Sequence, residues 1–109
     1  MTATIVVVIG VAGAGKTTVG QLLAAEIGWA FLDADSLHPP TNIAKMTNGV
    51  QLTDTDREPW LAAVHARIVE SFHSHEDSVV ACSALKERYR ETLARDVDLT
   101  WVYLKGSER

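Results

Sequence analysis

The stretch TIVVVIGVAGAGKTT, residues 4–18, decides the fold of this chain. Its first part, TIVVVI (4–9), is a continuous β-branched apolar run, which predicts a strand buried on both faces of a sheet. Residues 16–27 carry apolar side chains at helical spacing and are followed by Gly28, a typical residue at the end of a helix. The stretch therefore predicts a buried strand that leads through a glycine-rich loop into a helix.

The loop between this strand and this helix matches a phosphate-binding pattern. Gly10, Gly15, Lys16 and Thr17 fit G-x-x-x-x-G-K-[ST]. Glycines permit positive φ angles, so successive N–H groups can point at phosphate oxygens, and the helix adds its positive end. We expect Lys16 to reach the β- and γ-phosphates of ATP and the Thr17 hydroxyl to bind Mg²⁺. The predicted phosphate-binding residues are Gly10, Ala12, Gly13, Ala14, Gly15, Lys16, Thr17 and Thr18. The alternative is a plain glycine-rich turn with an exposed lysine.

The rest of the chain alternates strand-like and helix-like segments. The further predicted elements are strands over 29–34, 78–83 and 99–104 and helices over 58–73 and 85–95. In the longer helix, Asp56 could cap the N-terminus and Pro59 would lie in the first turn. Its buried stripe would consist of Leu61, Val64, Ile68 and Phe72. This alternation predicts a single α/β domain over residues 1–109, with a parallel sheet of four strands and helices on both faces.

Composition and charge argue against several classes of function. The 109-residue chain has a net charge of −4, so its bulk charge gives no reason to expect binding to nucleic acid or to an anionic membrane. No apolar run approaches the ~20 residues that span a bilayer, and the N-terminus lacks the basic segment of a signal peptide. The single cysteine, Cys82, is expected to be buried and inert. We expect a soluble, cytoplasmic protein whose partner is a small molecule.

Two carboxylates follow the second predicted strand. Asp33 and Asp35 come at its C-terminal end, and ligands of open α/β sheets collect at that edge. One carboxylate could hold Mg²⁺ through water, and the other could accept a proton from a substrate hydroxyl. The alternative is that one caps a helix and the other is a solvated loop acid.

Three further side chains are candidates with an equally plain alternative. His38 precedes two prolines and is either a catalytic group or a surface or packing residue. Arg57 is either a bidentate carboxylate binder or part of a local salt bridge to Asp54, Asp56 or Glu58. Lys86 follows the third predicted strand, on the ligand edge, and is either a site residue or a surface lysine.

Together these stretches resemble the gluconokinase family of small-molecule P-loop kinases. The matching segments are GVAGAGKTT, FLDADSLHPPTNIAKMTNGVQLTDTDREPWL and VVACSALKERYRETLA. The resemblance implies the three-layer fold of P-loop NTPases and nucleoside-monophosphate kinases. It also implies ATP- and Mg²⁺-dependent phosphorylation of D-gluconate at its 6-hydroxyl, and it leaves a homodimer open. Family members continue with a lid and a fifth strand, so we expect the domain to be incomplete at its C-terminus.

The resemblance also implies roles for individual residues. Lys16, Asp33 and Asp35 are the catalytic candidates: Asp33 would orient the water shell of the metal beside Thr17, and Asp35 would face the substrate hydroxyl. Arg57 resembles the arginine that binds the substrate carboxylate in the related shikimate kinases. The remaining predicted substrate contacts are His38, Lys45 and Lys86. The alternatives are a shikimate-kinase-like enzyme for another hydroxy acid and a truncated nucleotide-binding module without turnover.

Overall fold

The computed structural model describes residues 3–10, 15–83 and 86–104, and for Lys16 the backbone alone. The four strands are β1 (Ile5–Ile9), β2 (Ala30–Asp33), β3 (Ser78–Cys82) and β4 (Leu99–Tyr103). The four α-helices are α1 (Lys16–Ile27), α2 (Pro40–Thr47), α3 (Asp54–His73) and α4 (Glu87–Leu93). A short 3-10 helix, Ala34–Leu37, follows β2 directly. The predicted strand–helix alternation is confirmed. For residues 106–109 the sequence predicts a loop and the first turn of a further helix, and these residues lie outside the described ones.

The four strands form one parallel sheet in the order β2-β3-β1-β4. Alternate side chains of β1 enter two different cores. Ile5, Val7 and Ile9 pack with the buried stripe of α3 and with α4, whereas Val8 packs with Ala24 of α1. Helices therefore cover both faces of the sheet, and this arrangement explains why β1 is apolar at consecutive positions.

Helix α1 is bounded by glycines and packs unusually close to the sheet. Gly15 and Gly28 flank it with φ angles of 82° and 75°, and the Gly28 N–H donates to the Ala24 carbonyl. These left-handed conformations favour glycine. Within the helix, a Cβ on Gly20 would lie 2.8 Å from Cε1 of Phe31 on β2. A glycine at this position lets the helix approach the second strand.

The start of α3 differs from the prediction. The helix begins at Asp54 instead of near residue 58, because Thr53 caps it and forms a reciprocal capping box with Asp56. Asp56 is thus the third residue of the helix and not its cap. Pro59 consequently lies inside the helix and not in its first turn. Proline has no backbone N–H, so Pro59 cannot donate to the carbonyl of Thr55, which is an exposed residue.

The remaining predictions for helices agree with the structure in part. Leu61, Val64 and Ile68 of α3 are buried as predicted, whereas Phe72 is only half-buried. Helix α4 ends at Leu93 and not at residue 95. Cys82 is buried at the end of β3. Pro40 is the first residue of α2, where a missing N–H costs no intrahelical bond. Within the part of the chain that the structure describes, no helix combines the length and hydrophobicity needed to cross a membrane.

Candidate functional site

The predicted functional residues gather at the carboxyl edge of the sheet. Strands β1, β2 and β3 are neighbours and run parallel, so the segments that follow them emerge on the same edge. Gly10 follows β1, Asp33 ends β2 and Ser83 follows β3. We use the name phosphate side for Gly15, Thr17 and the start of α1, after the prediction made for them. We use the name acceptor side for the segments after β2 and β3 and the start of α3, again after their prediction.

The phosphate side consists mainly of backbone. Gly15 precedes α1, and no side chain caps the helix. No acidic residue occupies the first turn, so the positive end of the helix carries no competing carboxylate there. Thr17 is half-buried and Thr18 is exposed. The predicted contacts of Ala12, Gly13 and Ala14, and of the Lys16 ammonium, lie outside the described residues and stay predictions.

The two aspartates after β2 are held in different ways. Oδ1 of Asp33 accepts a hydrogen bond of 3.1 Å from the Asp35 N–H, so Asp33 caps the 3-10 helix. Oδ1 of Asp35 accepts a hydrogen bond of 3.0 Å from the Ser83 hydroxyl across the edge of the sheet. The alternative from the sequence was that one aspartate caps a helix, and Asp33 does so. Asp35 is half-buried and bonded to Ser83, so it is not a solvated loop acid.

Mg²⁺ binding at this edge is consistent with the chemistry of the available donors. A hydroxyl at Thr17 and a carboxylate at Asp33 are the hard oxygen ligands that Mg²⁺ prefers, directly or through water. The bond from the Asp35 N–H leaves Asp33 further acceptor capacity, because an ionised carboxylate has about four lone-pair sites. Among the described residues, no three His, Cys, Asp or Glu side chains form a group that would hold a metal by themselves.

His38 has a packing role. The residue is 9% exposed, and its ring stacks on Trp60 with centroids 4.4 Å apart. Nδ1 pairs with the Asn42 amide at 3.2 Å. Burial lowers the pKa of His38; the charge of Asp35 opposes this shift, whereas that of Arg57 adds to it. The packing interpretation is confirmed, and the substrate contact predicted for His38 stays a prediction.

Lys45 joins α2 to α3. Its Nζ lies 2.8 Å from Oδ1 of Asp56, and the other oxygen of that carboxylate accepts the Thr53 N–H at 2.9 Å. These hydrogen bonds lower the pKa of Asp56 to about 2, and the bond from Lys45 has the largest effect. Lys45 thus forms a structural ion pair in this structure, and its predicted contact with substrate stays untested.

Three cations, Arg57, Lys86 and Arg88, surround the ring of Tyr89; we call them the cation cluster. Each charged group lies 5.6–5.9 Å from the ring centroid. The Tyr89 hydroxyl donates to Asp54, which also binds Lys86 at 2.9 Å and Arg88 at 2.6 Å. Hydrogen bonds from Tyr89 and Lys86 lower the pKa of Asp54 to about 2, and the bond from Tyr89 has the largest effect. One carboxylate thus neutralises at most one of the three positive charges.

Arg57 does not take part in the local salt bridge considered from the sequence. In the described part of the chain, Asp54 pairs with Lys86 and Arg88, and Asp56 pairs with Lys45. The guanidinium of Arg57 donates instead to the Leu52 carbonyl at 3.0 Å and to the Tyr89 hydroxyl at 3.4 Å. Both bonds are to neutral acceptors, so the guanidinium keeps its full positive charge for an anionic ligand.

A cleft of about 300 Å³ opens beside these groups and is lined by Arg57, Ser83, Lys86 and Tyr89. Ser83 connects it to the Asp35 carboxylate. Sequence reasoning did not identify Ser83, Tyr89 or Arg88 as site residues. The segment CSALKERYR on the ligand edge was the only available signal, and it does not specify which side chains meet Asp54.

Comparisons with known proteins agree with this architecture. The family model for shikimate kinase matches residues 12–108. A gluconokinase of Gluconobacter oxydans is 50% identical over 102 residues, which cover 93% of this chain and 57% of the relative. The crystal structure of a gluconokinase from Sinorhizobium meliloti has a TM-score of 0.84 at 48% identity and covers 96% of this chain and 58% of that one. A sugar kinase from Janibacter sp. has a TM-score of 0.89 at 39% identity, with 96% and 61% covered.

Two conclusions follow from these similarities. The predicted α/β fold of P-loop kinases and the resemblance to gluconokinases are confirmed. The chain spans 57–61% of the length of these three relatives.

Proposed function

We propose a function from one premise: the chain belongs to the shikimate kinase family. It transfers the γ-phosphoryl group of ATP to a hydroxyl of a small hydroxy acid. The acid is D-gluconate and the product is 6-phosphogluconate, because the relatives from Gluconobacter oxydans and Sinorhizobium meliloti bear the name gluconokinase.

The observation that carries this proposal is the charge of the acceptor side. The chain as a whole is acidic, with a net charge of −4, yet Arg57 and Lys86 line one cleft together. Asp54 offsets only part of the charge of the cation cluster. A planar guanidinium binds a carboxylate through two parallel hydrogen bonds, which favours an acidic over a neutral acceptor. Arg57 would hold the carboxylate, and Lys86 would bind it or a neighbouring hydroxyl.

Asp35 is the group that would accept the proton of the reacting hydroxyl. The hydroxyl oxygen forms a bond to the γ-phosphorus while the bond from that phosphorus to the β,γ-bridging oxygen breaks and ADP leaves. The hydroxyl proton passes to the Asp35 carboxylate. The glycine-rich loop and Lys16 would hold the β- and γ-phosphates, and Thr17 and Asp33 would hold Mg²⁺, the latter through water. The metal, when bound, neutralises charge on the phosphate oxygens.

A panel of acceptors tests this proposal. The full chain is incubated with Mg·ATP and D-gluconate, shikimate, other sugar acids, or sorbitol, which keeps the hydroxyls but lacks the carboxylate. We expect 6-phosphogluconate from gluconate, and a kcat/KM for sorbitol lower by on the order of 100-fold, since a lost charged hydrogen bond costs about 1.5–3 kcal/mol. Preference for shikimate would identify the other acid kinase. Mg·ATP binding without transfer to any acceptor would identify a nucleotide-binding module and overturn the proposal.

A further inference from the structure

We propose that Ser83 is a positioning residue that orients the Asp35 carboxylate towards the acceptor hydroxyl; this inference rests on the proposed function. The Ser83 hydroxyl donates to Oδ1 of Asp35 at 3.0 Å, between residues 48 positions apart in the chain. Ser83 also lines the acceptor cleft, so the bond lies beside the place where the substrate would bind.

The register of the sheet brings the two residues together. In the parallel pair β2–β3, Asp33 is opposite Ala81. Asp35 lies two residues beyond Asp33, in the 3-10 helix, and Ser83 lies two residues beyond Ala81, directly after the end of β3. Ala81 and Cys82 are completely buried, which fixes the end of β3 from which Ser83 projects. The donor is therefore attached to a rigid part of the fold.

Asp35 is held at both its backbone and its side chain. Its N–H donates to Asp33, which caps the 3-10 helix and sets the path of the backbone. The Ser83 bond then restricts rotation of the carboxylate about its last side-chain torsion. A general base must lie within hydrogen-bonding reach of the proton it takes, and a misplacement of about 1 Å can cost roughly 100-fold in rate. Loss of this bond is therefore expected to affect the chemical step more than binding.

The first readouts come from single variants of the full chain. Ser83→Ala should lower kcat for gluconate about 10- to 100-fold, with KM values for gluconate and ATP within about threefold of the wild type. Ser83→Thr keeps the hydroxyl and should restore most of the rate. The control is Ser78→Ala, at the opposite end of β3, where the hydroxyl donates to the Glu76 carbonyl. It should leave kcat unchanged. If Ser83→Ala melts at so low a temperature that partial unfolding during the assay explains the lost rate, the proposal is contradicted.

A double-mutant cycle with Asp35→Asn gives the decisive readout. If Ser83 acts through Asp35, Ser83→Ala should change kcat less than about twofold once the carboxylate is removed, since coupled residues are not additive. An equal cost in both backgrounds would mean that Ser83 contacts substrate directly, and it would overturn this inference while leaving the kinase assignment intact. The cycle is run on whichever acid the wild type phosphorylates. No transfer to any acid would overturn both proposals.

Discussion

The two sides of the candidate site are built in different ways. On the phosphate side, glycines and the start of α1 present backbone groups, and no side chain caps the helix. On the acceptor side, contacts between distant segments dominate: Asp54 binds Lys86, Arg88 and Tyr89, more than 30 positions away. A backbone site follows from a short sequence pattern, whereas a side-chain site depends on which segments the fold brings together. The two sides should therefore respond differently to substitution.

Removal of the P-loop lysine should disable transfer to every acceptor. Lys16→Ala is expected to lower kcat about 10²- to 10³-fold, because the ammonium neutralises charge that develops on the transferred phosphoryl group. Steady-state kinetics and a thermal melt measure the effect. Arg67→Ala is a matched control, since Arg67 is a 54% exposed cation on α3 outside the site. Equal losses of stability and activity in Lys16→Ala would indicate a structural lysine.

A change of Arg57 should affect only acceptors that carry a carboxylate. Arg57→Lys keeps the charge but loses the planar fork, so KM for gluconate should rise about tenfold while KM for ATP stays the same. Sorbitol provides the control acceptor. Its turnover is already expected to be low in the wild type and should not fall further in Arg57→Lys. If the kinetic constants for sorbitol and gluconate worsened equally, Arg57 would maintain the structure of the acceptor side and would not recognise the carboxylate.

The close approach of α1 to β2 can be tested through stability. Gly20→Ala would place a Cβ 2.8 Å from the ring of Phe31, and overpacking of this kind costs about 1–3 kcal/mol in free energy of unfolding. Urea denaturation measures the change. In a Phe31→Leu background the smaller side chain leaves space, so the same substitution should cost less. An equal cost in both backgrounds would show that the contact with the Phe31 ring is not the source of the lost stability.

The smallest effect concerns acid stability on the acceptor side. Contacts in the folded state hold the pKa of Asp54 and of Asp56 near 2, below the ordinary 3.8. The folded chain therefore binds these protons less readily than the unfolded chain does. The stabilising contribution is complete above the ordinary value and is lost as the pH falls from about 4 towards 2.

Variants of these carboxylates and of their partner should reveal this dependence. Asp56→Asn should be less stable than the wild type at pH 7, and the difference should narrow as the pH approaches 2. Lys45→Gln should produce the same narrowing, since it removes the cation bound to Asp56. Urea midpoints over this pH range provide the measurement. A difference from the wild type that stayed constant with pH would show that the ion pair is not its source.

Several parts of the fold could be predicted because their causes are local. The strand β1, the helix α1 and its end at Gly28 follow from neighbouring residues, and the structure confirms them. The apolar side chains of Val19, Leu22 and Ile27 in α1 are nevertheless exposed, so their spacing predicted a helix but not a buried face. The start of α3 was wrong by about a turn because Asp56 was interpreted as the cap, whereas the reciprocal bonds with Thr53 make it the third helical residue. Both residues are plausible caps by type, and only the three-dimensional arrangement shows which one acts.

The phosphate-binding pattern, the strand–helix alternation and the presence of acids and cations near the ligand edge can all be predicted from sequence. Which of these side chains meet depends on the tertiary fold. It stacked His38 on Trp60, paired Lys45 with Asp56 and gave Asp35 the hydroxyl of Ser83. The physical reason is range: a loop or a helix end depends on backbone geometry over a few residues. A contact across 48 positions depends on the register in which β2 and β3 pair.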